Sequence, residues 1–141
     1  MVSVKWMDGA AFEAEVPSGI KFVIDSHPEF GGRGLGPTPV EALLSSIAAC
    51  SAIDVLDILR KKRQVVTSYR VEVDGDRPPP GEFPRPFSEI RVRHILVGEN
   101  LDPAAVERAV ELSDTKYCTV ITTLRAAPTV KSSWEIEGAK R

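Results

Sequence analysis

Along the first part of the chain apolar and polar side chains alternate. Val2, Val4 and Trp6 fall on one side of an extended backbone, Phe12, Ala14 and Val16 repeat the pattern, and Ile20, Phe22 and Ile24 repeat it again. The runs are separated by Asp8-Gly9 and Ser18-Gly19, pairs that favour tight reversal. A period of two broken by such turns predicts a three-stranded antiparallel meander. The alternation stops at Asp25. From there to Pro37 the chain gathers His27, Pro28, four glycines and Arg33, which reads as a flexible loop and as a candidate lid or wall of a site.

The next stretch predicts a long helix from Thr38 to Arg60. Thr38 is a good N-cap, Pro39 falls at the first helical position where a missing N–H is harmless, and Glu41 completes a Thr-x-x-Glu capping box. Between Glu41 and Asp54 no side chain is charged, and Leu43, Leu44, Ile47, Ala48, Ala49, Ala52 and Ile53 spread around the whole circumference. A helix apolar on all sides is expected to be buried on all sides. The uncharged run is shorter than the ~20 residues that span a bilayer, so a central core helix is expected. Small residues at Ser45, Ser46, Ala48, Ala49, Ser51 and Ala52 let a neighbour approach the backbone around Cys50.

Beyond the helix, Arg60-Lys61-Lys62-Arg63 places positive charge where it complements the helix dipole. Tyr69, Val71 and Val73 alternate, as do Ile90, Val92 and Leu96, and they flank a proline-rich excursion from Asp74 to Pro86 that reads as a stiff loop and a candidate partner contact. Asp102-Pro103 starts a second, amphipathic helix through Val106, Ala109, Val110 and Leu112. A short helical piece over Lys116–Arg125 carries Cys118 near its amino end, and alternation at Val130, Trp134 and Ile136 predicts a closing strand over Thr129–Glu137. Three strands, a helix, two strands, two helices and a strand put helices on a mostly antiparallel sheet, an α+β architecture. With 141 residues one domain is expected.

Charge and composition then narrow the function classes. Eighteen basic against twenty acidic side chains leave a net charge of −2, so no overall field recruits nucleic acid or an anionic membrane. The first residues lack a basic stretch followed by an apolar core; no signal peptide is expected and a cytoplasmic location is. In such a compartment the two cysteines are either inert buried residues or a redox or nucleophilic pair. Two cysteines with His27 and His94 show none of the paired spacings of a zinc site, and Gly31-Gly32-Arg33-Gly34 lacks the strand–turn–helix context of a phosphate cradle, so neither a metal nor a cofactor is expected.

Local spacing adds detail at both thiols. Ser46 and Asp54 lie one turn either side of Cys50; the simplest expectation has Ser46 bonding its own helix and Asp54 reaching solvent. If the helix of Cys118 begins at or just before it, the helix amino end and nearby Lys116 lower its pKa and favour the thiolate. Packing against Tyr117 in the core is the alternative.

The string Gly36-Pro-Thr-Pro-Val-Glu-Ala-Leu-Leu, continuing through Ile47-Ala-Ala-Cys50-Ser-Ala-Ile-Asp-Val-Leu56, followed much later by Leu112-Ser-Asp-Thr-Lys-Tyr-Cys118, resembles the OsmC/Ohr family of osmotically inducible and organic-hydroperoxide-resistance proteins, nearest its YhfA-like branch. The resemblance implies antiparallel sheets wrapped around a long cysteine-bearing helix in an intertwined homodimer, with two sites at the subunit interface. It also implies a cofactor-free thiol peroxidase for oxidative-stress defence. Cys50 matches the cysteine that attacks an organic hydroperoxide and becomes a sulfenic acid, Cys118 the one that resolves it, and an external dithiol restores the pair. An arginine and a glutamate hold the reactive thiolate in such peroxidases. Here Arg33 and Glu41 are the candidates, while Val40 occupies the position of the usual glutamate and Cys118-Thr-Val-Ile that of a Cys-Pro-x-Ser string. The same fold also admits a non-enzymatic reading, a redox-responsive dimer or one that binds a small apolar ligand.

Overall fold

A computed structural model of the protein describes residues 1–138. Strands β1 (Ser3–Asp8), β2 (Ala11–Glu15) and β3 (Lys21–Ile24) form the expected meander, in the order β1-β2-β3. Trp6 stands opposite Phe12, which stands opposite Ile24, and Val4 opposite Ala14, which stands opposite Phe22. The alternating residues therefore share one face. Of that sheet only Ala11 and Ala14 are fully buried.

Helix α1 (Pro39–Lys61) begins as the sequence predicts. The Thr38 hydroxyl accepts from the Glu41 N–H at 3.2 Å and the Glu41 carboxylate accepts from the Thr38 N–H at 2.8 Å. Immediately before it, Gly36 lies flat against the Val23 carbonyl, where any Cβ would collide. That close approach pins the start of α1 to the end of β3.

Strands β4 (Val65–Asp76) and β5 (Glu89–Glu99) make one long antiparallel hairpin, with Val73 opposite Val92, Val71 opposite His94 and Tyr69 opposite Leu96. The hairpin and α1 pack together; α2 (Pro103–Leu112), capped by Asp102, lies against α1, and so does α3 (Thr119–Ala126). The architecture is α+β with antiparallel sheets. The excursion between β4 and β5 is tied by reciprocal bonds, Arg77 Nε to the Arg85 carbonyl at 3.0 Å and Arg85 Nε to the Pro78 carbonyl at 2.8 Å.

Four expectations need correction. First, α1 is not buried on all sides: its fully buried residues are Ile47, Ser51, Val55 and Leu59, a single i, i+4 stripe, while Ile53 is 70% exposed. The hairpin, α2 and α3 cover one side of it, and uniform apolarity does not say how many sides one chain covers.

Second, the full helix has 23 residues and by length and composition is long and apolar enough to cross a membrane. The length argument is thereby corrected, while the expectation of a core helix stands, since such a helix meets the same criterion and α1 packs against the hairpin, α2 and α3.

Third, Thr129–Glu137 forms no strand. A left-handed Ala127 (φ 44°) ends α3, and Trp134 beyond it is 85% exposed. Alternation marks a face but supplies no neighbouring strand to pair with.

Fourth, the loop after β3 is fastened. Asp25, buried at its start, accepts backbone N–H groups from Ser26 (2.8 Å), Arg33 (3.1 Å) and Leu35 (3.1 Å), and these hold its carboxyl below the usual range, Leu35 most strongly.

Candidate functional site

The geometry of α1 places Cys50 one residue before the buried Ser51 and Asp54 one turn further on. What brings the second thiol to them is the connection after α2. Ser113–Tyr117 is a single π-helical turn, closed by the Cys118 N–H on the Ser113 carbonyl at 2.9 Å. Such a turn widens the helix by one residue and often occurs at functional sites. It redirects the chain so that α3 returns along the first half of α1, with Cys118 as its N-cap residue. Cys118 is fully buried among Ile47 and Ile121, and Cys50, half-buried, packs against the same cluster with Leu44, Val73, Ile90, Val92 and Val120.

The structure thus brings the two sulfurs together. The Sγ atoms of Cys50 and Cys118 and a carboxylate oxygen of Asp54 all lie within 4.8 Å of one another. Neither thiol is in a disulfide. Burial pushes the Cys118 thiol up; the Ile121 N–H pulls weakly the other way, while the neighbouring Cys50 and Asp54 add to the rise. Of the two alternatives for Cys118, an acidic thiol at a helix amino end is therefore corrected, and a cysteine packed in the core is what the structure has. Desolvation outweighs the helix end, and the Lys116 ammonium lies over the Tyr117 ring, 5.3 Å from its centre.

Behind the thiols runs a chain of polar groups, Ser51 and Ser113 fully buried and Tyr69, His94 and Asp54 half-buried. Tyr69 Oη is 2.7 Å from His94 Nδ1, and His94 Nε2 is 3.4 Å from Ser51 Oγ. Ser51 Oγ is 3.1 Å from Ser113 Oγ, and the Ser113 hydroxyl reaches Asp54 Oδ2 at 3.3 Å. Every link joins different elements, so the chain ties α1, β4, β5 and the π turn into one unit. Burial lowers the His94 pKa, the Asp114 carboxylate opposing it, and burial raises that of Tyr69. Asp54 is thus bonded to Ser113 rather than simply solvated, whereas Ser46 does bond its own helix, to the Ala42 carbonyl at 2.8 Å.

The other two sequence candidates do not join the thiols. Glu41 is held in its capping box, which keeps its carboxyl below the ordinary range, the Thr38 N–H contributing most. Arg33 forms an ion pair with Asp8 at the edge of the meander. Sequence reasoning missed Ser51, Ser113, His94 and Tyr69. Ser51 carried a signal: it is the one polar residue in the buried stripe Ile47, Ser51, Val55, Leu59. A hydroxyl at such a position needs a partner from another element.

The α+β fold with antiparallel sheets matches OsmC-like solved structures, and the OsmC-like family model matches residues 31–133. The chain belongs to this family. It is 39% identical to Protein YhfA of Escherichia coli K12 over 136 residues, 96% of this chain and 97% of that one. Among solved structures, a hypothetical protein from Aquifex aeolicus VF5 is similar with a TM-score of 0.75 and 32% identity, over 97% of this chain and 95% of that one. The organic hydroperoxide resistance protein OsmC from Legionella pneumophila shares the fold, with a TM-score of 0.62 and 16% identity over 89% and 88% of the two chains.

Proposed function

We propose that the protein is a homodimeric, cofactor-free thiol redox protein that reduces organic hydroperoxides, with Cys50 attacking and Cys118 resolving. The observation that carries this reading is the meeting of the two sulfurs within 4.8 Å although they lie on different helices. The Cys50 thiolate attacks the O–O bond, the alkoxide leaves and takes up a proton as alcohol, and Cys50 becomes a sulfenic acid. The Cys118 thiol then displaces hydroxide from that sulfur, water forms, and the two sulfurs are left as a disulfide that an external dithiol reduces by two exchange steps. The division of roles follows burial. Cys50 is half-buried, whereas Cys118 is sealed and its thiol is held protonated, suiting it to wait for a sulfenic acid rather than meet solvent oxidant. The apolar wall of Ile47, Leu44 and Val92 favours an alkyl hydroperoxide over a small polar one.

A second copy of the chain is part of the proposal. Its support is the exposed apolar surface on α1 and on the meander, including Ile53, Trp6 and Val4, which a partner would cover. The family's name for hydroperoxide resistance in similar proteins points the same way as the thiol pair. A second reading, a redox-responsive or ligand-binding dimer without turnover, is favoured by one observation: Arg33 and Glu41 are engaged elsewhere, and the charged group beside the sulfurs is the Asp54 carboxylate.

Consumption of cumene hydroperoxide with dithiothreitol as reductant separates the two. Turnover by the wild-type chain that is lost in Cys50→Ser, and that leaves a disulfide between the two cysteines when reductant is withheld, supports the peroxidase. Activity that survives Cys50→Ser overturns it, and a disulfide that forms without sustained turnover supports the second reading.

A further inference from the structure

We propose that Cys50, Asp54 and Cys118 form a binding site for one divalent cation of the zinc class. Each residue offers one donor atom, and the three atoms lie within 4.8 Å of one another. Tetrahedral zinc with Zn–S of about 2.3 Å and Zn–O of about 2.1 Å sets donor–donor edges of roughly 3.5–4 Å, so small side-chain adjustments close the triangle. The pairing is invisible to spacing rules because Cys118 comes from a different helix.

The donor set selects the ion. Two thiolates and a carboxylate are soft and borderline ligands carrying three negative charges, which suits zinc and cobalt(II) and not magnesium or calcium, which demand oxygen shells. Three protein ligands leave a fourth position for water. Each thiol gives up its proton as its S–metal bond forms, so binding releases two protons.

The framework is stiff. Cys50 and Asp54 sit one turn apart on α1, and Cys118 is fixed by its N–H bond to Ser113. The Ser113 hydroxyl, itself fully buried, donates to Asp54 Oδ2 at 3.3 Å, the kind of outer contact that orients a ligating carboxylate. Solvent reaches the carboxylate side of the site, whereas Cys118 is fully buried and side chains must shift for an ion to reach its sulfur. Asp54 lines an open groove of about 280 Å³ with Asp57, Lys61, Lys62 and Tyr117, and the Lys61 charge is paired with Asp57 at 2.9 Å.

The site shares its sulfurs with the redox reading but does not rest on it. In the disulfide form neither sulfur is a thiolate, so oxidation of the pair abolishes binding. Cobalt(II) is the probe, added without peroxide to the full chain reduced by a phosphine. The expected result is one equivalent bound, with thiolate-to-cobalt charge-transfer absorption and intense visible bands of tetrahedral cobalt, displaced by zinc. Binding is lost in Cys50→Ser and in the disulfide-oxidised wild-type chain, and is weakened about tenfold or more in Asp54→Asn. The oxidised wild-type chain serves as a control that involves no substitution. The proposal is overturned if the reduced chain shows no charge-transfer band, if the band persists after oxidation, or if Asp54→Asn binds as tightly as wild type. A chain that binds cobalt but consumes no hydroperoxide overturns the redox reading alone, and the reverse result overturns only this one.

Discussion

The two ends of α1 carry cores of opposite character. Toward its carboxyl end Val55 and Leu59 pack against Ala105 and Ala109 of α2, with Ile58, Val66, Leu96 and Val106 around them. Toward its amino end Ile47 packs against Cys118 and Ile121, with Cys50 beside them. Between the two lies the polar layer of Ser51, Ser113 and His94. One helix thus divides its burial between a region of hydrocarbon edged by Tyr69 and a region that buries sulfur. Hydrocarbon gains stability from every buried methylene, whereas buried hydroxyls, an imidazole and thiols at best break even. Their retention in the interior falls at the middle of α1, at Cys50 and Ser51, where the proposed thiol chemistry would take place.

The largest effect that tests this division is expected at the hydrocarbon end. Leu59 is fully buried in the α1–α2 cluster, and Leu59→Ala should lower stability by about 3 kcal/mol, from lost transfer energy plus the cavity left behind. Chemical denaturation measures it. Peroxide turnover per folded molecule, and the rate at which Cys50 is alkylated, should stay unchanged. A loss of thiol reactivity out of proportion to unfolding would show that the two ends are mechanically one and break the comparison.

A smaller effect is expected in the layer between them. Ser113→Ala removes a fully buried hydroxyl that contacts both Ser51 and Asp54 and should cost about 1–2 kcal/mol, since its partners lose a bond they cannot replace with water. In a double-mutant cycle Ser51→Ala and Ser113→Ala should couple by about 0.5–1 kcal/mol, while Ser113→Ala and Leu59→Ala should add. Coupling in the second cycle as large as in the first would mean that the layer does not separate the two clusters.

The same contrast explains what could be read before folding was known. Part of the carboxyl-terminal core was legible because Val106, Ala109 and Val110 on α2 recur at helical spacing, and periodicity is a local property; the buried stripe of α1 was not, since a run apolar on all sides does not say which side is covered. The caps and prolines likewise placed the starts of α1 and α2, and the resemblance named the two thiols. The approach of Cys118 to Cys50 and Asp54 and that of Ser113 to Ser51 were not legible, because they depend on how far a π turn between α2 and α3 swings the chain, and the Tyr69–His94–Ser51 links depend on how the β4–β5 hairpin docks on α1. Such a turn has no periodicity to announce it. The choice between an acidic and a core-packed Cys118 stayed open for a related reason. A helix amino end can be placed from sequence, but the depth at which it is buried cannot, and here depth decides the sign. The tail from Thr129 failed differently, since its alternation has no described strand beside it.

The smallest expected effect reads the depth of the polar layer directly. His94 bridges Tyr69 and Ser51, and burial lowers its pKa below the ordinary ~6.5, with the Asp114 carboxylate opposing. The unfolded chain therefore takes up a proton on this ring before the folded one does. Between the ordinary value and the lower folded one the unfolded state binds more protons, so stability rises with pH across that window. The contribution is fully present above about pH 6.5 and is lost as pH falls below it. Thermal midpoints measured from about pH 7.5 down to about pH 5.5 should fall for the wild-type chain, and fall less steeply for His94→Gln. Glutamine keeps an amide within reach of Ser51 but takes up no proton. If the two chains show parallel curves, the ring titrates alike folded and unfolded, His94 is solvated, and the layer dividing the two cores is wetter than its hydrogen bonds imply.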